Sequence, residues 1–144
     1  MIFERIILTI ISVKNLLIIN LLIFYYKIIN HKVLIFYHPK DSFKNISNYH
    51  MDKLLKFPNS KKIKVIILDN SKINFYRINY IKQHFMKYIN GVDLFVNNYV
   101  CETFPKKCQR IYLHHDIYDT PLVNQKKEKE LFKRLSKYDH ILLP

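Results

Sequence analysis

The segment of this chain richest in reactive side chains runs from Arg110 to Leu122 and reads Arg-Ile-Tyr-Leu-His-His-Asp-Ile-Tyr-Asp-Thr-Pro-Leu. His114 and His115 are followed closely by Asp116 and Asp119. Imidazole titrates near neutral pH, so a histidine oriented by a carboxylate can take a proton from a hydroxyl. The same residue types also bind metal ions. Adjacent strand residues point to opposite faces, however, which argues against His114 and His115 sharing one ion, and no metal is expected. A second reading makes Asp116 and Asp119 turn caps ahead of Thr120-Pro121. The residue types leave catalysis and turn capping both open.

Composition narrows what such a segment could serve. The chain has 144 residues, a formal net charge of +13 and a single glycine, Gly91. One glycine cannot build a glycine-rich dinucleotide turn or a P-loop, which need several bare backbone positions beside phosphate. No cofactor is expected. Arginine, the usual reader of phosphate and guanine, occurs only at the scattered positions Arg5, Arg77, Arg110 and Arg134. Lys126, Lys127 and Lys129 are interleaved with Glu128 and Glu130. Nucleic acid is therefore not an expected partner. The positive charge suits an anionic membrane surface or a phosphate-bearing substrate better. Cys101 and Cys108 lack a zinc spacing and read as reduced thiols.

The elements that would position the histidines alternate. Short apolar, β-rich runs stand at Lys32–Tyr37, Lys64–Leu68, Val92–Asn97, Arg110–His114 and His140–Leu143. They are continuous rather than alternating, as strands buried on both faces are. Helical patterns lie between them at Ser47–Phe57, Ile73–Ile89 and Asn124–Tyr138, the second ended by Gly91 and the third opened by Asn124. The order predicts an α/β domain over residues 31–144, with a parallel, doubly wound sheet and flanking helices. Such sheets bind ligands at the carboxyl ends of their strands. That edge collects His38, Asp69, Asn97, Asn98, Tyr99 and the run from His114 to Leu122. His38, Asn98 and Thr120 are the candidate substrate-binding residues.

Ahead of this domain, residues 1–30 read as one long apolar helix. No small-residue cleavage site follows it, so a signal peptide is not expected. Ile6–Tyr26 has the length of a membrane span, although Lys14, Asn15 and Asn20 interrupt it. Arg5, Thr9, Ser12, Asn15, Asn20 and Lys27 share one side of the helix, which also fits a helix lying in the interface. Membrane attachment, spanning or interfacial, is the expectation. The remaining alternative is a helix packed on its own domain. The largest excess of positive charge follows the helix, between residues 31 and 68, which favours the cytoplasmic face of the cell membrane.

From Asp93 to Pro144 the sequence resembles the acceptor-side half of CDP-glycerol glycerophosphotransferases, GT-B-like enzymes that build teichoic acids and related surface polymers. That family carries a histidine segment ending in Thr/Ser-Pro-Leu directly after a buried apolar strand. Here Ile111-Tyr112-Leu113 precede His115, Asp116 stands where the family has glycine, and Thr120-Pro121-Leu122 follow. Tyr138-Asp139-His140-Ile141-Leu142-Leu143-Pro144 matches the strand that comes next. The resemblance implies a Rossmann-like first domain of a GT-B fold, with His115 as the base and His114 in reserve. Asp116 or Asp119 would orient it. The reaction implied moves a glycerophosphate or glycosyl unit from a nucleotide-activated donor to a hydroxyl of a lipid-linked acceptor. The donor would be held mainly by a second domain. Because the chain stops right after a strand, the domain is expected to be truncated and the donor site missing. The alternative from a different class is a non-catalytic, membrane-bound α/β interaction module.

Overall fold

A computed structural model describes residues 2–38, 62–69, 80–97, 101–113 and 125–142. In chain order these form α1 (Ile2–Ile28), β1 (Lys32–His38), β2 (Ile63–Asp69), a 3-10 helix (Gln83–Tyr88), β3 (Leu94–Asn97), β4 (Gln109–Leu113), α2 (Gln125–Leu135) and β5 (His140–Leu142). The five strands make one sheet in the order β2-β1-β3-β4-β5, and every neighbouring pair is parallel. The expected parallel α/β sheet is therefore present, built by the same five apolar runs.

The strand boundaries have a local cause at two places. The Asp93 carboxylate accepts the Val33 N–H at 2.7 Å, while the Asp93 N–H donates to the Val33 carbonyl at 3.0 Å. Asp139 repeats the device against Arg110, accepting its N–H at 2.7 Å and donating back at 2.9 Å. Each aspartate side chain occupies a ladder position that a backbone carbonyl would otherwise fill. Regular pairing thus starts at the residue after each aspartate, so β3 begins at Leu94, two residues later than the expected Val92. Burial alone would raise the Asp93 pKa, but the Lys27 ammonium, the Val33 N–H and Lys32 outweigh it and hold the carboxyl below its ordinary value.

The main core lies on one face of the sheet. Val33, Ile35, Tyr37, Leu68, Phe95 and Tyr112 meet Ile19 and Ile23 of α1, Ile81, Met86, Ile89, Val92 and Phe104 there, with Leu135 of α2 at the margin. A second cluster, Phe36 and Val96 with Leu34, Ile67, Leu94, Ile111 and Leu113, forms on the opposite face. Both faces of β1 and β3 carry apolar side chains, as their continuous sequences require.

Two sequence expectations change. The helix expected over Ile73–Ile89 is not continuous, because Lys82 is extended (φ −67°, ψ 139°) and only the 3-10 turns of Gln83–Tyr88 follow. Asn15 takes the Tyr80 carbonyl at 2.8 Å and Ser12 takes the Lys82 N–H at 3.2 Å. Side chains of α1 thus use backbone groups that an α-helix would pair internally. Gly91 still lies in the left-handed region (φ +79°), two residues beyond the extended Ile89 rather than at a helix cap. A Cβ at Gly91 would stand 3.1 Å from Cγ2 of Ile23, so close approach of α1 is a second reason for glycine there. The helix expected at Ser47–Phe57 and the Asn124 cap lie outside the described residues.

The second change concerns α1. Its polar stripe faces the domain. Ser12 and Asn15 are buried. Asn20 donates to the Tyr88 carbonyl at 3.1 Å and accepts the Asn90 N–H at 3.0 Å. Lys82 donates through Nζ to Thr9 Oγ1 at 2.9 Å and to the Arg5 carbonyl at 3.1 Å, and Lys27 pairs with Asp93. The outward side is apolar: Phe3, Ile6, Ile10, Leu17, Leu21 and Phe24 are each 50–75 % exposed. The helix ends in a Schellman turn, with Asn30 left-handed (φ 58°), its N–H bonded to Lys27 and the His31 N–H to Tyr26. The turn sends the chain back along α1 into β1, so the two run antiparallel.

Candidate functional site

The strand order reverses direction between β1 and β3, and the chain leaves both strands at the same edge. In register, Tyr37 of β1 stands beside Asn97 of β3, and Asn97 beside Tyr112 of β4. His38 is the last residue of β1 and pairs with Asp69, the last residue of β2. Asn98 follows β3 directly, and His114 and His115 follow β4 directly. Neighbouring strands are about 4.8 Å apart, so these three departures fall within roughly 10 Å across the edge. The topology therefore brings the starts of the His38, Asn98 and His114–His115 segments to a single edge at the switch point, where open α/β sheets bind ligands. The side chain of His38, and residues Asn98, His114, His115, Asp116, Asp119 and Thr120, lie outside the described residues.

The described floor of this edge is a buried polar cluster on the α1 face. Asn97 is fully buried and donates through Nδ2 to the Tyr138 hydroxyl at 2.9 Å and to Cys101 Sγ at 3.0 Å. The Cys101 N–H donates to the same hydroxyl at 2.9 Å. One tyrosine oxygen thus ties the Asn97 side chain to the Cys101 backbone. Phe104 stacks edge-on against both Phe95 and Tyr138, and the Arg110 guanidinium lies 4.7 Å from the Phe104 ring. The aromatic frame holds Tyr138 where its hydroxyl must be.

The electrostatics of the floor make it a support and not a reagent. Burial pushes the Cys101 thiol up to about 12, so it stays protonated near neutral pH and is a poor nucleophile. Burial also raises Tyr138. Cys108 is half-buried and raised for the same reason. Both cysteines are free thiols. Among the described residues no three histidine, cysteine or acidic side chains gather as a metal site would require.

Sequence reading located Asn97 by its position at a strand end but missed its partners. Cys101 is only four residues away, yet Tyr138 is forty-one residues away and carries no local signal of a shared hydroxyl. The pairing role of the aspartates just before β3 and β5 was also missed, although Val-Asp-Leu-Phe-Val and Tyr-Asp-His-Ile-Leu place them alike at a strand entry. Comparison of the chain with protein-family models, curated proteins and solved structures finds no match in any of the three.

Proposed function

We propose that this chain is a Rossmann-like, acceptor-side domain of a GT-B-type, membrane-associated transferase of surface-polymer biosynthesis. The observation that carries the reading is the shared edge: β1, β3 and β4 end side by side at the switch point, and the His114–His115 segment follows β4 directly. In this reading His115 accepts the proton of an acceptor hydroxyl as its oxygen attacks the activated unit. For a glycerophosphate donor, the new bond is oxygen to phosphorus, and the bond to the leaving nucleoside monophosphate breaks. Asp116 or Asp119 orients the imidazole, and His114 is the reserve base. His38, Asn98 and Thr120 contact substrate. The donor nucleotide is held by a second domain, and the chain's net charge of +13 attracts the phosphate-bearing, lipid-linked acceptor. The work is done at the cytoplasmic face of the cell membrane.

The test uses membranes isolated from the source cells, where every component is present. Transfer of label from nucleotide-activated donors to lipid-linked acceptor is measured for wild type, a deletion, His115→Ala and His114→Ala. His115→Ala should lower the rate by about 10²–10⁴-fold, the usual worth of a general base. A wild-type rate in His115→Ala sinks the base assignment. A wild-type rate in the deletion sinks the transferase reading and favours the non-catalytic interaction module.

A further inference from the structure

Most of the exposed large apolar side chains among the described residues lie on α1, and their setting says what covers them. We propose that α1 lies flat in the plane of an anionic lipid surface, docked to the domain by its polar stripe along its length. This deepens the membrane-associated reading above and rests on it only for the presence of a bilayer.

Three observations carry the inference. First, docking runs nearly end to end, from the Lys82 bond at the Arg5 carbonyl to the Lys27–Asp93 pair. A helix of 27 residues is about 40 Å long, enough to cross a bilayer. Crossing would carry the extended Tyr80–Lys82 segment and β1 into hydrocarbon with it, where backbone outside helices and closed barrels is not tolerated. A docked α1 must therefore lie parallel to the surface. Second, the polar side chains that an interfacial helix normally turns to water are already used against Tyr80, Lys82, Tyr88 and Asn90. What remains outward is Phe3, Ile10, Leu17, Leu21 and Phe24, each more than 60 % exposed.

Third, basic side chains border that face, with Glu4 in the first turn as the acidic exception. Lys14 is exposed between Ile10 and Leu17, and its long stem allows the ammonium to reach the headgroups. Lys87 lies 5.0 Å from the ring of Tyr88, whose carbonyl Asn20 holds at the helix flank. The acidic Asp93 at the far end is already paired with Lys27. A second copy of the chain is a poorer occupant. Two-fold antiparallel pairing about the middle of α1 would bring Lys14 against its own image in an apolar seam.

The antiparallel run of α1 along β1 adds a consequence for the site. The connection from β2 to β3 must travel from the carboxyl edge of the sheet to the amino edge. Along it Tyr80 and Lys82 meet the N-terminal half of α1, and Asp93 meets its C-terminal end. The N-terminal half of the lipid-facing helix is therefore on the side of the candidate site edge, so a lipid-linked acceptor reaches that edge from the surface in which α1 lies.

The chain contains no tryptophan, so single reporters are unambiguous. Phe3→Trp, Leu17→Trp and Phe24→Trp, made one at a time in the full chain, are bound to vesicles of phosphatidylcholine and phosphatidylglycerol carrying bromine at defined acyl depths. The expected result is equal quenching of all three by shallow bromines. A Leu17→Trp reporter quenched mainly by deep bromines, with Phe3→Trp and Phe24→Trp shallow, means a spanning helix and overturns the proposal. Absence of quenching in all three means that lipid does not cover the face, and also overturns it. Lys14→Gln should weaken binding to these vesicles about fivefold, the worth of one basic residue at an anionic surface, and leave binding to pure phosphatidylcholine unchanged. Equal loss on both vesicle types contradicts the headgroup role. None of these readings depends on transfer activity, so a failed transfer assay and a failed depth profile are separate results.

Discussion

Replacing Asn15 by leucine separates the two ways of orienting α1. Asn15 is 2 % exposed and donates at 2.8 Å to the Tyr80 carbonyl, sixty-five residues away. Leucine branches at the same carbon as asparagine and enlarges the apolar content of the helix, so intrinsic propensity and lipid affinity both favour the change. Were the stripe turned to water or headgroups, Asn15→Leu would leave folding stability unchanged or raise it. In the docked arrangement the Tyr80 carbonyl loses a buried donor, which costs about 1–3 kcal/mol. With a urea m-value of about 2 kcal/mol per M, a loss near 2 kcal/mol moves the midpoint down by about 1 M. Leu17→Asn is the matched control, because Leu17 is 62 % exposed; away from lipid it should stay within about 0.5 kcal/mol of wild type. The assay is equilibrium urea unfolding followed by far-ultraviolet circular dichroism, without lipid. An Asn15→Leu midpoint equal to or above wild type, at unchanged m, refutes the docking of the polar stripe.

Two further outcomes follow from the buried polar groups. Tyr138→Phe removes the one oxygen that accepts both Asn97 Nδ2 and the Cys101 N–H; it should cost about 2–4 kcal/mol in the same unfolding assay, and a loss below about 1 kcal/mol would show that the hydroxyl does not anchor the loop. Asp93 is held below its ordinary value of 3.8 in the folded chain, so the unfolded chain binds the extra proton first and folding stability falls as pH drops below that value; Asp93→Asn should flatten this acid limb, and an unaltered slope from pH 5 down to about pH 2 would remove Asp93 as its source.

The central strands were legible because the side chains of β1 and β3 are buried on both faces, and continuous runs such as Val33–Tyr37 suit such a position. The parallel order was legible for a related reason, since strands alternating with helical patterns need crossover connections. The interruption at Tyr80–Lys82 was not legible, because the groups that impose it, Asn15 and Ser12, belong to a helix some seventy residues earlier. The orientation of α1 was half legible. Periodicity correctly grouped Thr9, Ser12, Asn15, Asn20 and Lys27 on one side. It could not say whether those side chains serve water or another segment's backbone, because the hydrogen-bonding chemistry is the same.

The candidate site divides in the same way. Strand ends were read from hydropathy, and the sheet brings those of β1, β3 and β4 together as that reading expected. The floor beneath them was invisible, because the shared Tyr138 hydroxyl joins residues from β3, its following loop and the entry to β5. Asn97 advertised a polar site, but its partners are a thiol that burial keeps protonated and a tyrosine that burial keeps neutral. The arrangement joins the end of β3 to the entry of β5 beneath the edge.

Amide hydrogen exchange at Lys82 and Asn90 tests the central structural claim most directly. Their N–H groups donate to Ser12 Oγ and to Asn20 Oδ1, so they report α1 docking at two points along its length. Exchange is followed in the free chain and in the chain bound to anionic vesicles. A flat, docked α1 predicts slow exchange at both amides in both states, with Ser12→Ala releasing Lys82 and sparing Asn90. Protection that is present in solution and collapses at both amides on vesicle binding would mean that α1 leaves the domain to enter the bilayer, and would contradict the account.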